Sequence, residues 1–303
     1  MRAAVLSEVD GPFELRELPD PGGDDGRVLV RVRAAGVNFA DVLIRRGRYP
    51  QMPELPAVLG SEIAGELADG RRVMAFSGGG GYAEICAVDA ASLVPLPDSA
   101  SFAEGAAFLL TFLTAYVPLT RQVRLREGGT VLVYAAAGGV GTAAIQVARA
   151  LGQRVVAAAG SREKLGVCRE LGAEEAYVYD DLPEDLQVDV VVDPVGGELF
   201  ASSFARLRPL GTVIAIGSAA GAWTEVDPAR LVGRNVGLQG FYLGRLMRHD
   251  PALVAECLRE LLALWERGAL RPHVGKAFPL DEVEQAHALL ESRASTGKVV
   301  LLP

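Results

Sequence analysis

Apolar and polar positions alternate through the first hundred residues. RVLVRVRAAGV (27–37) sets apolar side chains between arginines at every second position, the period of a half-exposed strand. EIAGELADGRRVMAFS (62–77) divides at Asp69-Gly70 into two strand-like runs, a hairpin signature. YAEICAV (82–88) is a further strand, and clusters of Pro and Gly at 19–26 and 50–60 punctuate the region. SGGGG (77–81) runs into a strand, with no helix N-terminus behind it, and reads as a turn rather than a phosphate loop. This pattern predicts a β-rich domain.

The pattern changes after residue 100. Ser99 or Ser101 is placed to cap a helix, with Glu104 completing a capping box on Ser101, and 103–116 is strongly apolar. From residue 130, continuous apolar strands alternate with helical stretches: TVLVYAA (130–136), RVVAAAG (154–160), AYVY (176–179), DVVVDPV (189–195) and GTVIAIGS (211–218). Such strands belong to a parallel sheet covered on both faces. The tail holds an amphipathic helix over 251–268, with Leu253, Cys257, Leu261 and Leu264 on one stripe, a second helix over 279–294 and a terminal strand over 297–303. The expected fold class is α/β, a doubly wound parallel sheet with a second, β-rich domain; 303 residues suit about two domains.

Composition narrows the function classes. Half the residues are hydrophobic and 22% are charged, enough for a large core. The net charge of −8 argues against a nucleic-acid partner, which needs a basic face. Three separated cysteines, Cys86, Cys168 and Cys257, form no CxxC pair, so neither a disulfide framework nor a cysteine-rich zinc site is expected, and all three read as packing. The opening MRAAVLSEVDG reaches Glu8 before any long apolar run, unlike a secretory signal. The most apolar stretch, 105–119, is shorter than the ~20 residues that span a bilayer. A soluble, cytoplasmic protein without a membrane partner is the expectation.

The sharpest local signal is VLVYAAAGGVGTAAIQVARALG, a buried strand that turns through Ala137, Gly138, Gly139, Val140 and Gly141 into a small-residue helix. Glycines allow a tight turn and a close approach to a pyrophosphate, which the helix N-terminus attracts. Ala136 stands at the first glycine of GxGxxG. The next strand ends at Ala159-Gly160 without the carboxylate that accepts from an NAD ribose; Ser161, Arg162 and Lys164 follow, a hydroxyl and cations suited to a 2′-phosphate. The expected cofactor is NADPH, the rival reading being that Arg162 and Lys164 only solvate the next helix, with Glu163 beside them.

AAGVNFADVLIRRGRYP (34–50), LPAVLGSEIAGEL (55–67), GGYAEICAV (80–88), the AAAGGVG loop, LTAY (113–116), DPVGG (193–197) and SRASTGKVVLLP (292–303) together resemble the NADPH-dependent quinone oxidoreductases, the zeta-crystallin-like group of the medium-chain dehydrogenase/reductase superfamily. The resemblance spans the chain. It implies a discontinuous GroES-like domain, 1–115 and 251–303, around a Rossmann domain, 116–250, with NADPH in the cleft and a homodimer built through GVGLQGFYL. Zinc-dependent relatives carry a ligand Cys where Asn38 stands and His-Glu where Ser61-Glu62 stand, and a four-cysteine lobe that this chain lacks. His249, His273 and His287 fall outside the cleft motifs, so no metal is expected. Without a Lewis acid, acceptors that take hydride readily are favoured: a quinone first, an enal, enone or enoyl thioester second. A non-catalytic NADPH-binding protein is the third reading, and one- or two-electron transfer stays open.

The resemblance places Asn38 near the nicotinamide and acceptor, where an uncharged amide can donate to a quinone oxygen. Asp41 is a candidate to orient water or act as an acid, or else to cap the helix or pair with Arg45 or Arg46. Tyr49 would stack on or bond the acceptor, or simply pack. Thr114 matches a position approaching the nicotinamide end, and Tyr177 one near the 2′-phosphate. Gly217 and Ser218 end a strand where Rossmann ligands lie, Phe241 is a candidate wall, and Lys298 either reaches the cofactor or is solvated.

Overall fold

The computed structural model describes residues 1–23 and 26–303; Asp24 and Asp25, within the punctuated stretch 19–26, lie outside the described residues. The chain divides into two units, Met1–Leu109 with Pro272–Pro303, and Leu110–Arg271.

The first unit opens with β1 (Arg2–Leu6), β2 (Phe13–Glu17) and β3 (Arg27–Val37), followed by a short helix α1 (Phe39–Arg45). Next come β4 (Ala57–Val58), β5 (Glu62–Glu66), β6 (Arg72–Phe76), β7 (Ile85–Asp89), β8 (Leu93–Pro95) and α2 (Phe102–Gly105). The β5–β6 hairpin turns at Asp69-Gly70 as the sequence implies, pairing Glu62 with Phe76 through to Glu66 with Arg72. β3 alternates exposed and buried residues as far as Arg33 and is then buried from Ala34 to Val37. Gly36 is required in that buried half: a Cβ there would stand 2.4 Å from the Ala106 carbonyl oxygen and 2.7 Å from the Glu62 side chain. Ser101 and Glu104 form the expected capping box, but the helix it starts ends after one turn.

The second unit begins with α3 (Leu109–Val117), which widens into a π-helical turn at Pro118–Gln122. This apolar stretch, Phe102–Gln122, is long enough to cross a membrane by composition, yet is mostly buried inside the protein. There follow β9 (Thr130–Val133), α4 (Gly139–Ala150), β10 (Arg154–Ala159), α5 (Leu165–Glu170), β11 (Glu175–Val178), β12 (Val188–Asp193), α6 (Gly197–Ser203), β13 (Leu207–Ala215), α7 (Pro228–Arg234), β14 (Gly237–Gly240), α8 (Leu243–His249) and α9 (Pro251–Glu266). The sheet order is β11-β10-β9-β12-β13-β14, every pair parallel. That is the doubly wound Rossmann order, with its direction reversing between β9 and β12.

The chain then returns to the first unit through β15 (Val274–Pro279), α10 (Val283–Glu291) and β16 (Lys298–Leu302). β16 enters the sheet β15-β16-β3-β5-β6-β8 beside β3. The junctions differ from the expected 115/116 and 250/251. α9 groups with the parallel-sheet unit because Tyr116 donates to Glu260 at 2.9 Å and Arg121 pairs with both Glu256 and Glu260. The backbone N–H of Arg271 likewise donates to Gln146 on α4. Cys86, Cys168 and Cys257 are all buried free thiols, as packing residues should be.

Candidate functional site

Strand register brings three polar side chains together in the first unit. Val37 pairs with Val299 across the antiparallel β3–β16 ladder, so Asn38, one step past β3, faces Lys298, one step before Val299. On the other side of β3, Ala35 pairs with Ile63, which brings Glu62 alongside. Asn38, Glu62 and Lys298 are 6%, 1% and 3% exposed, so this polarity is satisfied internally. The Lys298 ammonium bonds both the Asn38 Oδ1 and the Glu62 Oε1, and the Asn38 Nδ2 donates to the same Glu62 oxygen at 3.1 Å. Lys298 is thus neither solvated nor extended, and Glu62 is a member of the site that sequence reasoning did not single out.

Asn38 also heads α1. Asp41, three residues on, accepts the Asn38 backbone N–H at 2.8 Å and the Tyr82 hydroxyl at 3.0 Å, both on Oδ2. Of the readings open to Asp41, the cap is realised and the pairing with Arg45 or Arg46 is not: Arg45 pairs with Glu284, and Arg46 with Asp10 and Glu291. Burial pushes the Asp41 carboxyl up to about 6, against the Asn38 and Tyr82 hydrogen bonds and the Lys298 charge. Burial, then the Asp41 charge, holds the Tyr82 phenol well above its usual value.

His287 on α10 stands behind Tyr82, its Nε2 3.4 Å from the hydroxyl and its ring tilted against Phe13. Tyr82 spends its proton on Asp41, so the imidazole donates from Nε2 and Nδ1 is an acceptor without a partner among the described residues. Burial, then Arg45 and Arg46, pushes its pKa down to about 3, so it is neutral. His287, set aside in the sequence as lying outside the motifs, therefore packs behind the site. Tyr49 is half-buried on the bend that follows α1.

In the second unit, the turn from β9 into α4 is built around Gly141. A Cβ at Gly141 would lie 2.2 Å from the Ala135 carbonyl oxygen and 2.7 Å from the Ala136 backbone. Gly138 is the N-cap of the 12-residue α4 and offers no side chain to the helix's first N–H groups. Those of Gly139, Val140 and Gly141 have no partner within the helix. Ala137 is buried beneath the turn, while Gly138, Gly139 and Val140 are half-buried. Tyr179, which sequence reasoning passed over, accepts the Ala135 N–H at 3.2 Å and so braces the turn from the 3-10 turn that follows β11.

β10 leads into the next group of candidates. Gly160 and Arg162 are exposed, and no carboxylate ends the strand. Arg162 pairs with Asp181 at 2.6 Å. Ser161 bonds Glu163, whose carboxylate is held below its usual range mainly by that bond. Burial lowers the Lys164 ammonium. Tyr177 is half-buried, its hydroxyl bonded to Glu175. Gly217 and Ser218 follow β13, with Ser218 donating to the Ala222 carbonyl at 2.7 Å. Phe241 is buried after β14, and Thr114 is half-buried on α3. Hence Asn38, Asp41, Tyr49 and Lys298 share one unit, and the remaining candidates share the other.

Comparison with known proteins places these features. Residues 24–98 match the family described as alcohol dehydrogenase GroES-like domain, and residues 171–301 the family described as zinc-binding dehydrogenase. A quinone oxidoreductase-like protein 2 homolog from Nematostella vectensis is 34% identical over 99% of this chain and 88% of its own length. The chain belongs to the quinone oxidoreductase family of the medium-chain dehydrogenase/reductase superfamily. Among solved structures, the quinone oxidoreductase of Thermus thermophilus, determined also in complex with NADPH, is 44% identical with a TM-score of 0.94, each chain covered completely. A mycobacterial protein complexed with NADPH is 34% identical with a TM-score of 0.91, again over 100% of both chains.

The description of the second matching family raises the question of zinc. Among the described residues no group of three or more His, Cys, Asp or Glu side chains is placed to hold a metal ion. In place of such a set, Asn38 and Glu62 hold an ammonium, whose fixed positive charge repels a cation. This member of the quinone oxidoreductase family does not offer zinc a donor set among its described residues.

Proposed function

We propose that the chain is a zinc-independent NADPH:quinone oxidoreductase that works as a homodimer. The observation that carries the reading is the β9–α4 turn: first-turn N–H groups without a partner among the described residues, on a glycine-rich backbone that has no room for a Cβ at Gly141, a fit for a diphosphate. Ser161, Arg162 and Lys164 at the end of β10 supply a hydroxyl and cations where NAD sites carry a carboxylate, which favours a 2′-phosphate. NADPH, when bound, supplies a hydride. Asn38 would donate its amide N–H to the acceptor oxygen, and the family's named members support a quinone as that acceptor. Dimerisation is supported by β14, the last strand of its sheet, beside which Leu210, Val232, Leu238 and Tyr242 are exposed.

The test compares NADPH and NADH affinities by fluorescence, then NADPH oxidation with a quinone panel and an enal panel after treatment with a chelator. Tighter NADPH binding with quinone turnover supports the reading. Turnover confined to enals would reassign the acceptor, and tight NADPH binding without turnover in either panel would make the chain a binding protein.

A further inference from the structure

The Asn38 amide has its orientation decided by its neighbours. An ammonium only donates, so the atom facing Lys298 is the oxygen; a carboxylate only accepts, so the atom facing Glu62 is the nitrogen. The oxygen is consumed inside the protein. Of the two N–H bonds, one goes to Glu62, and the other meets no partner among the described residues. The amide therefore presents a donor and no acceptor.

We infer that Lys298 and Glu62 are positioning residues that lock Asn38 as a one-way hydrogen-bond donor, selecting acceptors by a conjugated carbonyl oxygen, with the Lys298 charge transmitted through the amide to that oxygen. This rests on the proposed carbonyl-reducing function and names how it is achieved. Taking up a hydride converts a quinone into the hydroquinone monoanion, whose charge sits on oxygen until a proton arrives from water. A donor polarised by a buried cation stabilises that charge as it develops. An alcohol, whose hydroxyl must give its own proton, finds no acceptor on Asn38.

The geometry makes the two charges act in opposite directions. Lys298 favours negative charge on the acceptor oxygen, and Glu62 opposes it. Loss of Lys298 alone removes the favourable charge and leaves the opposing Glu62 carboxylate beside the developing one. Neutralising Glu62 as well removes that opposition.

The experiment measures kcat with a series of 1,4-benzoquinones, and the NADPH Kd, for the wild type, Lys298→Met, Glu62→Gln and the double variant. Lys298→Met is expected to lower kcat about 100-fold while the NADPH Kd stays within about threefold. Adding Glu62→Gln to it is expected to restore about tenfold, because the coupling is electrostatic. If Lys298→Met does not fold, the charge-neutral double variant is compared with Lys298→Arg, which retains the cation and is expected to be the faster. A merely structural ion pair would make kcat in the double variant recover only in proportion to its folded fraction, read by Tm, and would make it no slower than Lys298→Arg. Either result overturns the inference. A wild type that binds NADPH and reduces no quinone or enone would sink the functional reading and this one with it. An active wild type without rescue would sink only this one.

Discussion

The two units solve the problem of holding a polar partner in opposite ways. The parallel-sheet unit uses backbone: N–H groups at the head of α4, exposed by glycines and braced by Tyr179. The split unit uses buried side chains that answer one another, the Lys298 ammonium against the Glu62 carboxylate and the Tyr82 hydroxyl against the Asp41 carboxyl. A backbone site tolerates little change in volume, because its donors are the chain itself. A side-chain site tolerates little change in charge, because an unpaired buried ion costs several kcal/mol.

The largest effect should come from volume in the first kind of site. Gly141→Ala forces a Cβ against the Ala135 carbonyl at 2.2 Å, whereas Gly138→Ala meets its nearest atom at 3.2 Å. We expect Gly141→Ala to weaken NADPH binding more than about 100-fold and Gly138→Ala less than about tenfold, read by fluorescence titration. Equal losses would remove the steric basis of the contrast.

Charge in the second kind of site comes next. Asp41 has a folded-state pKa of about 6 against 3.8 when unfolded. Its stabilising contribution is complete below pH 3.8 and is lost as pH rises through about 6. The stability gap between wild type and Asp41→Asn should therefore shift by about 3 kcal/mol against the wild type from pH 3.5 to pH 7, in urea unfolding series. His287 acts with the opposite sign: its contribution is present above pH 6.5 and lost as pH falls toward about 3. It is common to both proteins and drops out of the comparison.

How legible each site was in the sequence follows from the same difference. The phosphate turn is contiguous, so its spacing, its helix and the missing carboxylate after β10 could all be read locally. The side-chain site joins residues 24, 236 and 260 positions apart, and Tyr82 lies 205 from His287. Asn38 and Asp41 were found through a motif. Glu62, Tyr82 and His287 do not stand out there, because only the registers of β5 and β16 on β3 and the packing of α10 bring these groups together. The grouping of α9 with the parallel-sheet unit is not legible in the sequence for a related reason: its stripe shows that it packs, not what it packs on.

Smaller effects test the rim of each site. Arg162→Ala with Lys164→Ala should raise the NADPH Kd about tenfold and leave the NADH Kd within about threefold, the difference shrinking in about 0.5 M salt. Smallest of all, Glu291→Gln on the exposed Arg46 pair should keep Tm within about 2 °C, as surface ion pairs do.

The place of β16 has a consequence for biosynthesis. Glu62 leaves the ribosome 236 residues before Lys298, roughly 10 to 50 seconds at ordinary translation rates. Throughout that interval the Lys298 ammonium is not there to meet its carboxylate, so this pair of the split unit closes late. Nascent chains that stall before β16 emerges would carry the parallel-sheet unit and a Glu62 carboxylate without its Lys298 ammonium, a state that quality-control proteases could distinguish from the folded split unit.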